Sequence, residues 1–247
     1  MSSDVREAEL ALHRRTGLAC AAAVAAGVPG RFRVWEQDGL LAVLATDPAL
    51  RFLSTVSGIA RETLPAVAGL LNASEWDGVR PTVLTTDSEP VPGLVRAGER
   101  VLAVRRLGDS PALEPGITDT DAFVDVLLAG YEAEGAVAAF VAAEHRLPQV
   151  RPFLVVESGT PIAAAAMTIH DDVAVFGGAS TLPAHRGRGA QPRLLRHRLR
   201  VAAEAGCVLA VATARAGSVS ATNLGRAGFR CYRRSAWVRV CGRDRRR

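Results

Sequence analysis

Gly177-Gly178-Ala179-Ser180-Thr181-Leu182-Pro183-Ala184-His185-Arg186-Gly187-Arg188-Gly189-Ala190-Gln191 is the stretch from which the rest of this sequence can be read. Before it, Val173-Ala-Val-Phe176 is short and apolar, as a buried strand is. Behind it, the run from Pro192 to Ala205 puts Leu194, Leu195, Leu199 and Ala202 or Ala203 on one helical face. Strand, glycine-rich loop and helix in that order gather main-chain N–H groups at the positive end of a helix dipole. That arrangement suits an anion, most often a phosphate. The alternative is a turn that uses glycine only to bend.

The spacing argues against a mere bend. It lacks the Lys-Ser/Thr of a P-loop and does not fit G-x-G-x-x-G. It does fit Arg-x-x-Gly-x-(Gly/Ala), with Arg186 and Gly189 in place, Gln191 in the last slot and Pro183 three residues before the arginine. In this it resembles the pyrophosphate loop of the GNAT superfamily of N-acetyltransferases. Downstream, Cys207-Val-Leu-Ala-Val-Ala212 reads as the next parallel strand. Ser218 to Asn223, followed by Gly228-Phe229, resembles the family's short Asn-bearing helix and Gly-Phe turn. The resemblance covers roughly residues 118–240. It implies an α/β GNAT fold, a mixed sheet splayed between two parallel strands with helices on both faces.

Composition agrees with a folded protein. The 247 residues are 49% hydrophobic and 22% charged, which allows a sizeable core and argues against disorder. No apolar run approaches the roughly 20 uncharged residues of a membrane span. Leu18 to Val28 is Ala-rich and follows Asp4, Glu7 and Glu9, so it reads as an N-terminal helix and not a signal segment. A cytoplasmic location follows. Cys20, Cys207, Cys231 and Cys241 have no metal-ligand spacing and read as reduced, mostly buried thiols. The basic side chains are all arginine, and the tail Arg243-Asp-Arg-Arg-Arg247 supplies part of the net charge of +5. The positive balance would also suit a cofactor carrying several phosphates.

The N-terminal half reads as a helix over 1–30 interrupted near Gly17, strands at 32–35 and 40–44 around Gln37-Asp38-Gly39, and a helix over about 57–71. Strand 82–85, a helical turn at 92–96 and strand 101–105 follow. This order matches that read for 173–240, and Leu94 to Arg100 echoes Leu224 to Arg230. Residues 1–107 are therefore expected to form a degenerate GNAT-like α/β half, and 118–247 the acyl-CoA-binding domain, with a linker over 107–117. Phe52 to Gly58 stands where the first half's phosphate loop would be, without the motif. After the linker, a helix capped by Thr118 or Thr120, a helix over about 137–147 and strands 152–157 and 162–169 lead into the first stretch.

The resemblance implies acetyl-CoA as co-substrate. It places the pantetheine along Ala179, Ser180 and Thr181, and the pyrophosphate on the amides of Gly187, Arg188, Gly189, Ala190 and Gln191. Arg186 and Arg188 either neutralise phosphate charge or are solvated loop charges. Asn223 either contacts the pantetheine arm or caps its helix. The implied reaction is attack of a neutral primary amine on the thioester, with an N–H near residues 178–182 holding the developing oxyanion and a tyrosine protonating the thiolate. The family's usual tyrosine position, just before Gly228-Phe229, holds none, which leaves Tyr232 as a substitute or simply a strand aromatic. No carboxylate lies on strand 173–180, so Glu144, His145 and His170 are the nearest candidate bases, with Glu144 and His145 read alternatively as part of a solvated helix face. The expected partner is a small-molecule or peptide amine, with a homodimer left open, and neither a membrane nor a specific nucleic acid. A CoA-binding module with little turnover is the rival reading, and an arginine-driven nucleic-acid binder the third.

Overall fold

The computed structural model describes residues 2–86, 90–108 and 120–239. Helix α1 (Ser3–Ala25) precedes the hairpin β1 (Phe32–Gln37) and β2 (Leu40–Ala45), then β3 (Thr55–Ser57), α2 (Leu64–Leu71), β4 (Thr82–Thr85) and β5 (Val95–Arg106). Helices α3 (Thr120–Tyr131) and α4 (Gly135–His145) follow. The chain continues with β6 (Arg151–Glu157), β7 (Thr160–His170), β8 (Val173–Thr181), α5 (Ala190–Glu204), β9 (Leu209–Arg215), α6 (Val219–Arg226) and β10 (Arg230–Val238).

The ten strands make one sheet in the order β1-β2-β3-β4-β10-β5-β9-β8-β7-β6. Among the described residues only β3 with β4 and β8 with β9 pair in parallel. Read from either edge, the order is an antiparallel run of three strands, a parallel partner, then a central strand supplied by the opposite end of the chain. β5 lies between β9 and β10, and β10 lies between β4 and β5. The outer hairpins turn on Asp38-Gly39 and Ser158-Gly159, each with two positive φ angles, the conformation whose twist matches paired strands.

Helices cover both faces. On one, α5 and α6 bring Leu194, Leu195, Leu199 and Leu224 against Ala103, Met167, Phe176 and Ala212. On the other, α1 lays Val5, Ala8 and Ala11 over Leu102, Val104, Val175 and Val211. This is the mixed α/β architecture that the motif implied. Alternation with period two along β5 and β9 feeds the two cores from the same strands.

Several local expectations are corrected. Helix α1 runs unbroken through Gly17, whose backbone is not left-handed and whose Cα faces Val34 across the α1–β1 contact. Packing along α1 outweighs the roughly 1 kcal/mol helix penalty of one glycine. The helix expected over 57–71 starts only at Leu64. Ser57 pairs with Leu41 as sheet, and Gly58 at φ +75 breaks away. The helical turn expected at 92–96 gives way to strand from Val95. The echo between 94–100 and 224–230 is not structural, since Val95 to Arg100 is strand and Leu224 to Arg226 is helix. Cys231 is exposed. Most of the linker, Thr118, Cys241 and the tail over 243–247 lie outside the described residues. Among the described residues no helix is long and apolar enough to cross a membrane.

Candidate active site

β8 and β9 hold together only from Val173–Phe176 to Leu209–Ala212 and then part. A β-bulge helps drive them apart. Opposite β7, Ala166 pairs with Gly177 and Ala164 with Ser180, so Gly178 and Ala179 face one residue, and Gly178 takes φ +56. A cavity of about 690 Å³ opens at this fork. Ala179, Ser180, Thr181, Arg186, Gly187, Gly189, Ala190, Gln191 and Asn223 of the motif all line it. Arg188 does not; it is exposed on the loop's outer side.

The loop is built to leave donors free. Gly187 (φ +80) and Gly189 (φ +84) adopt the left-handed conformation that side chains resist, with open space where each Cβ would stand. Among the described residues the amides of Gly187, Arg188 and Gly189 find no main-chain acceptor. They precede the fifteen-residue α5 and its dipole.

Two polar side chains of the motif turn out to be staples. Gln191 Nε2 donates to Ser180 O at 2.6 Å, Thr181 Oγ1 at 3.1 Å and Ala164 O at 3.2 Å, tying the start of α5 to β7 and β8. The larger residue in the Gly/Ala slot is thereby folded inward. Arg186 donates to Thr181 O at 3.2 Å and Gly130 O at 3.0 Å, fastening the loop to the end of α3. Ser218 accepts from Ala221 N and caps α6, so Asn223 is not the cap.

Tyr232 is a correction. On β10 it sits in register with Leu102 of β5, and the two share the face covered by α1, where Tyr232 packs against the same apolar cluster as Leu12 and lies under the Arg230 guanidinium. It is not among the cavity's lining residues. His170 is another: it ends β7 at the hairpin opposite the fork and bonds Thr168 Oγ1. Glu144 and His145 stand behind β8, again not in the cavity lining. Burial alone would raise the Glu144 pKa, but the Arg15 guanidinium at 2.8 Å overcomes it and holds the carboxyl below its usual range. Arg15 also donates to Val175 O at 3.1 Å. His145, kept neutral by burial, bonds Val141 O through Nδ1 and sets Nε2 hard against Gly178. The cluster braces the bulge from behind and offers no free carboxylate.

Two residues inside the cavity carry chemistry that the sequence reading did not assign. Tyr131, at the C-terminal end of α3, accepts the Ala179 N–H at 2.9 Å on its phenol oxygen. The ring is part exposed, yet desolvation of the hydroxyl pushes its pKa up, so it keeps its proton. Arg198 is 3% exposed, with its guanidinium on Ala166 O at 3.0 Å and 4.7 Å above the Phe176 ring. Burial lowers its pKa to about 9, so it stays a cation at neutral pH. Among the described residues no carboxylate lines the cavity.

Residues 120–229 match the family described as Acetyltransferase (GNAT). Among solved structures, a GCN5-related N-acetyltransferase from Kribbella flavida aligns over 91% of this chain and 95% of its own, with TM-score 0.58 and 19% identity. A protein of Novosphingobium aromaticivorans assigned to the GNAT acetyltransferases aligns over 90% and 96%, with TM-score 0.55 and 19% identity. A GCN5-related N-acetyltransferase from Sphaerobacter thermophilus aligns over 84% and 75%, with TM-score 0.56 and 15% identity. At these identities the likeness speaks for the fold. No curated protein matches the sequence.

Proposed function

We propose that this chain, a GNAT-family acetyltransferase over residues 120–229, moves an acetyl group from acetyl-CoA to a primary amine by direct attack on the thioester. The observation that carries the reading is the fork itself: parted strands, unsatisfied loop amides and a cavity free of carboxylates. These residues suit a polyphosphate cofactor. The amides of Gly187 to Gln191 would receive the pyrophosphate, and Ala179 to Thr181 would run beside the pantetheine with Asn223 across from them. Arg186 and Gln191 hold the loop's shape, and Arg188 stays a solvated charge.

Tyr131 takes the part first given to Tyr232. The Ala179 N–H donates to its oxygen, so the phenol hydrogen is free to pass to the departing thiolate. Arg198, a buried cation at the same cavity, lowers the energy of that thiolate before it is protonated. The attacking amine must itself be neutral, and a free alkyl ammonium with a pKa of about 10.4 gives up its proton to water or to a neutral imidazole. The rival reading, a CoA-binding module with little turnover, rested on a missing tyrosine and a missing strand carboxylate; Tyr131 answers the first, and among the described residues no carboxylate of the cavity lining answers the second.

The mirrored strand order supports reading the chain as two GNAT-like halves, 1–107 and 118–247, which exchange their last strands. Titration calorimetry with acetyl-CoA tests the central claim, followed by thiol release on adding amines. Micromolar binding is the expected result. No heat of binding from the unmodified protein overturns it.

A further inference from the structure

A second cavity, of about 610 Å³, lies under α1 at the middle of the sheet. Its walls come from both ends of the chain: Leu12, His13 and Thr16 of α1, Thr55 and Ser57 of β3, and Thr213 to Arg215 of β9. That end of β9 has already parted from β8 at the fork. Arg15, one residue from Thr16, presses its guanidinium on Gly177 at the same fork. Thr213 to Arg215 thus line the cavity just past the point where β8 and β9 part.

The register sets three arginines in a row across this floor. Arg234 of β10 is directly opposite Arg100 of β5, and Arg100 is directly opposite Arg215 of β9. All three line the cavity. Like charges at directly opposed positions destabilise a sheet. Two carboxylates, Glu9 and Glu99, line the cavity with the three, and both are already engaged. Glu9, 3% exposed, lies 3.6 Å from Arg234 and accepts the Gly58 N–H at 2.8 Å, so it is already shared. Glu99, beside Arg100 in sequence, is held by Arg96 and, at 3.9 Å, by Arg233. Arg100 and Arg215 have no acidic partner among the described residues. Arg234 is 5% exposed, and its Nε–H, fully buried, has no acceptor at all. A buried guanidinium donor without an acceptor costs stability.

We infer that this cavity receives the acceptor, and that the acceptor is an amine that also carries an oxyanion, a carboxylate or a phosphate, held by the Arg234–Arg100–Arg215 row. The inference rests on the acetyl-transfer reading for the word acceptor, and on the arginine row alone for the anion. The oxyanion offsets the mutual repulsion of the three opposed arginines. His13, 8% exposed and kept neutral by burial, lines the same cavity on the α1 side.

The test has two arms. Succinate and inorganic phosphate are titrated calorimetrically, at constant ionic strength in chloride, into the Gly189→Glu variant, whose cofactor loop is blocked. Saturable one-to-one binding is expected, weakened at least tenfold by adding Arg100→Met or, on the exposed side, Arg215→Ala. No saturable binding of either anion, or binding indifferent to both substitutions, overturns the inference. In the second arm thiol release from acetyl-CoA is compared for 4-aminobutyrate against n-butylamine and for O-phosphoethanolamine against ethanolamine. At least a tenfold preference in kcat/KM for one charged member is expected, carried by KM and lost in Arg100→Met; the pair that shows it tells carboxylate from phosphate. Equal rates within both pairs overturn the acceptor assignment. Acetyl-CoA titrated into the unmodified protein separates the two readings. Cofactor binding without anion binding sinks this inference alone, and anion binding without cofactor binding sinks the acetyl-transfer reading and the acceptor role with it.

Discussion

The chain crosses from one parallel strand to the next twice, and the two crossings are finished in opposite ways. β8–α5–β9 leaves the amides of Gly187, Arg188 and Gly189 without main-chain partners in front of open space. β3–α2–β4 closes its own. The Gly58 N–H goes to the Glu9 carboxylate, and the Ala60 N–H goes to Thr63 Oγ1, each at 2.8 Å. One crossing feeds a helix of fifteen residues and the other a helix of eight. Strand, loop, helix and strand in that order therefore do not make an anion site. Unsatisfied donors make it, and in the closed crossing a carboxylate of the protein itself stands where a ligand's charge would go.

Substitutions can break this contrast, and the largest effect belongs to the open loop. Gly189→Glu puts a carboxylate among the free amides and an L side chain at φ +84, and weakens acetyl-CoA by more than about 10³-fold, some 4 kcal/mol. Thr63→Ala in the closed crossing leaves that affinity unchanged by calorimetry; equal losses from both would erase the distinction. Next, Glu9→Ala strands the Arg234 guanidinium in the interior and lowers stability by about 3–5 kcal/mol, read from urea denaturation. An unshifted midpoint would mean the closed loop needs no internal anion. Tyr131→Phe removes only a hydroxyl, so kcat falls about 10²-fold while acetyl-CoA affinity stays within about threefold. A kcat within a factor of two of the parent would take the proton-donor role from Tyr131.

The smallest effect is a change in slope. Glu144 has its pKa depressed on folding because Arg15 outweighs burial. Its stabilisation is fully present above the unfolded value of about 4.3 and is lost as pH falls through the lower folded value. Glu144→Gln should flatten the acid limb of a melting-temperature profile taken from pH 7 to pH 3. An identical limb in both proteins would show that the Arg15 brace does not depend on that charge.

The loop was legible because its spacing encodes backbone shape: glycines at 187 and 189 report positive φ wherever the sequence is met. The fork was expected only through the family resemblance, and the positive φ of Gly178 at its bulge was not read from the sequence. Side-chain roles were less so. Arg198 lies four residues after Leu194 and four before Ala202, inside the buried stripe of α5, and that spacing was the signal that set it apart from its exposed neighbours. Tyr131 carried no motif of its own, although a tyrosine in the final turn of a helix is placed to reach beyond it. Glu9 and Arg234 could not be paired from sequence at all. They stand at opposite ends of the chain, and only the exchange of β5 and β10 brings them together.

That exchange also sets when the protein can fold. β4 has its antiparallel neighbour only in residues 235–237 and β5 has one of its two in β10, so the first half emerges from the ribosome with unpaired strand edges. Nearly the whole chain must be made before either half can finish its sheet. High contact order of this kind slows folding and prolongs exposure of those edges. A nascent chain stalled short of Arg230 thus leaves β4 and β5 without the strand that lies between them.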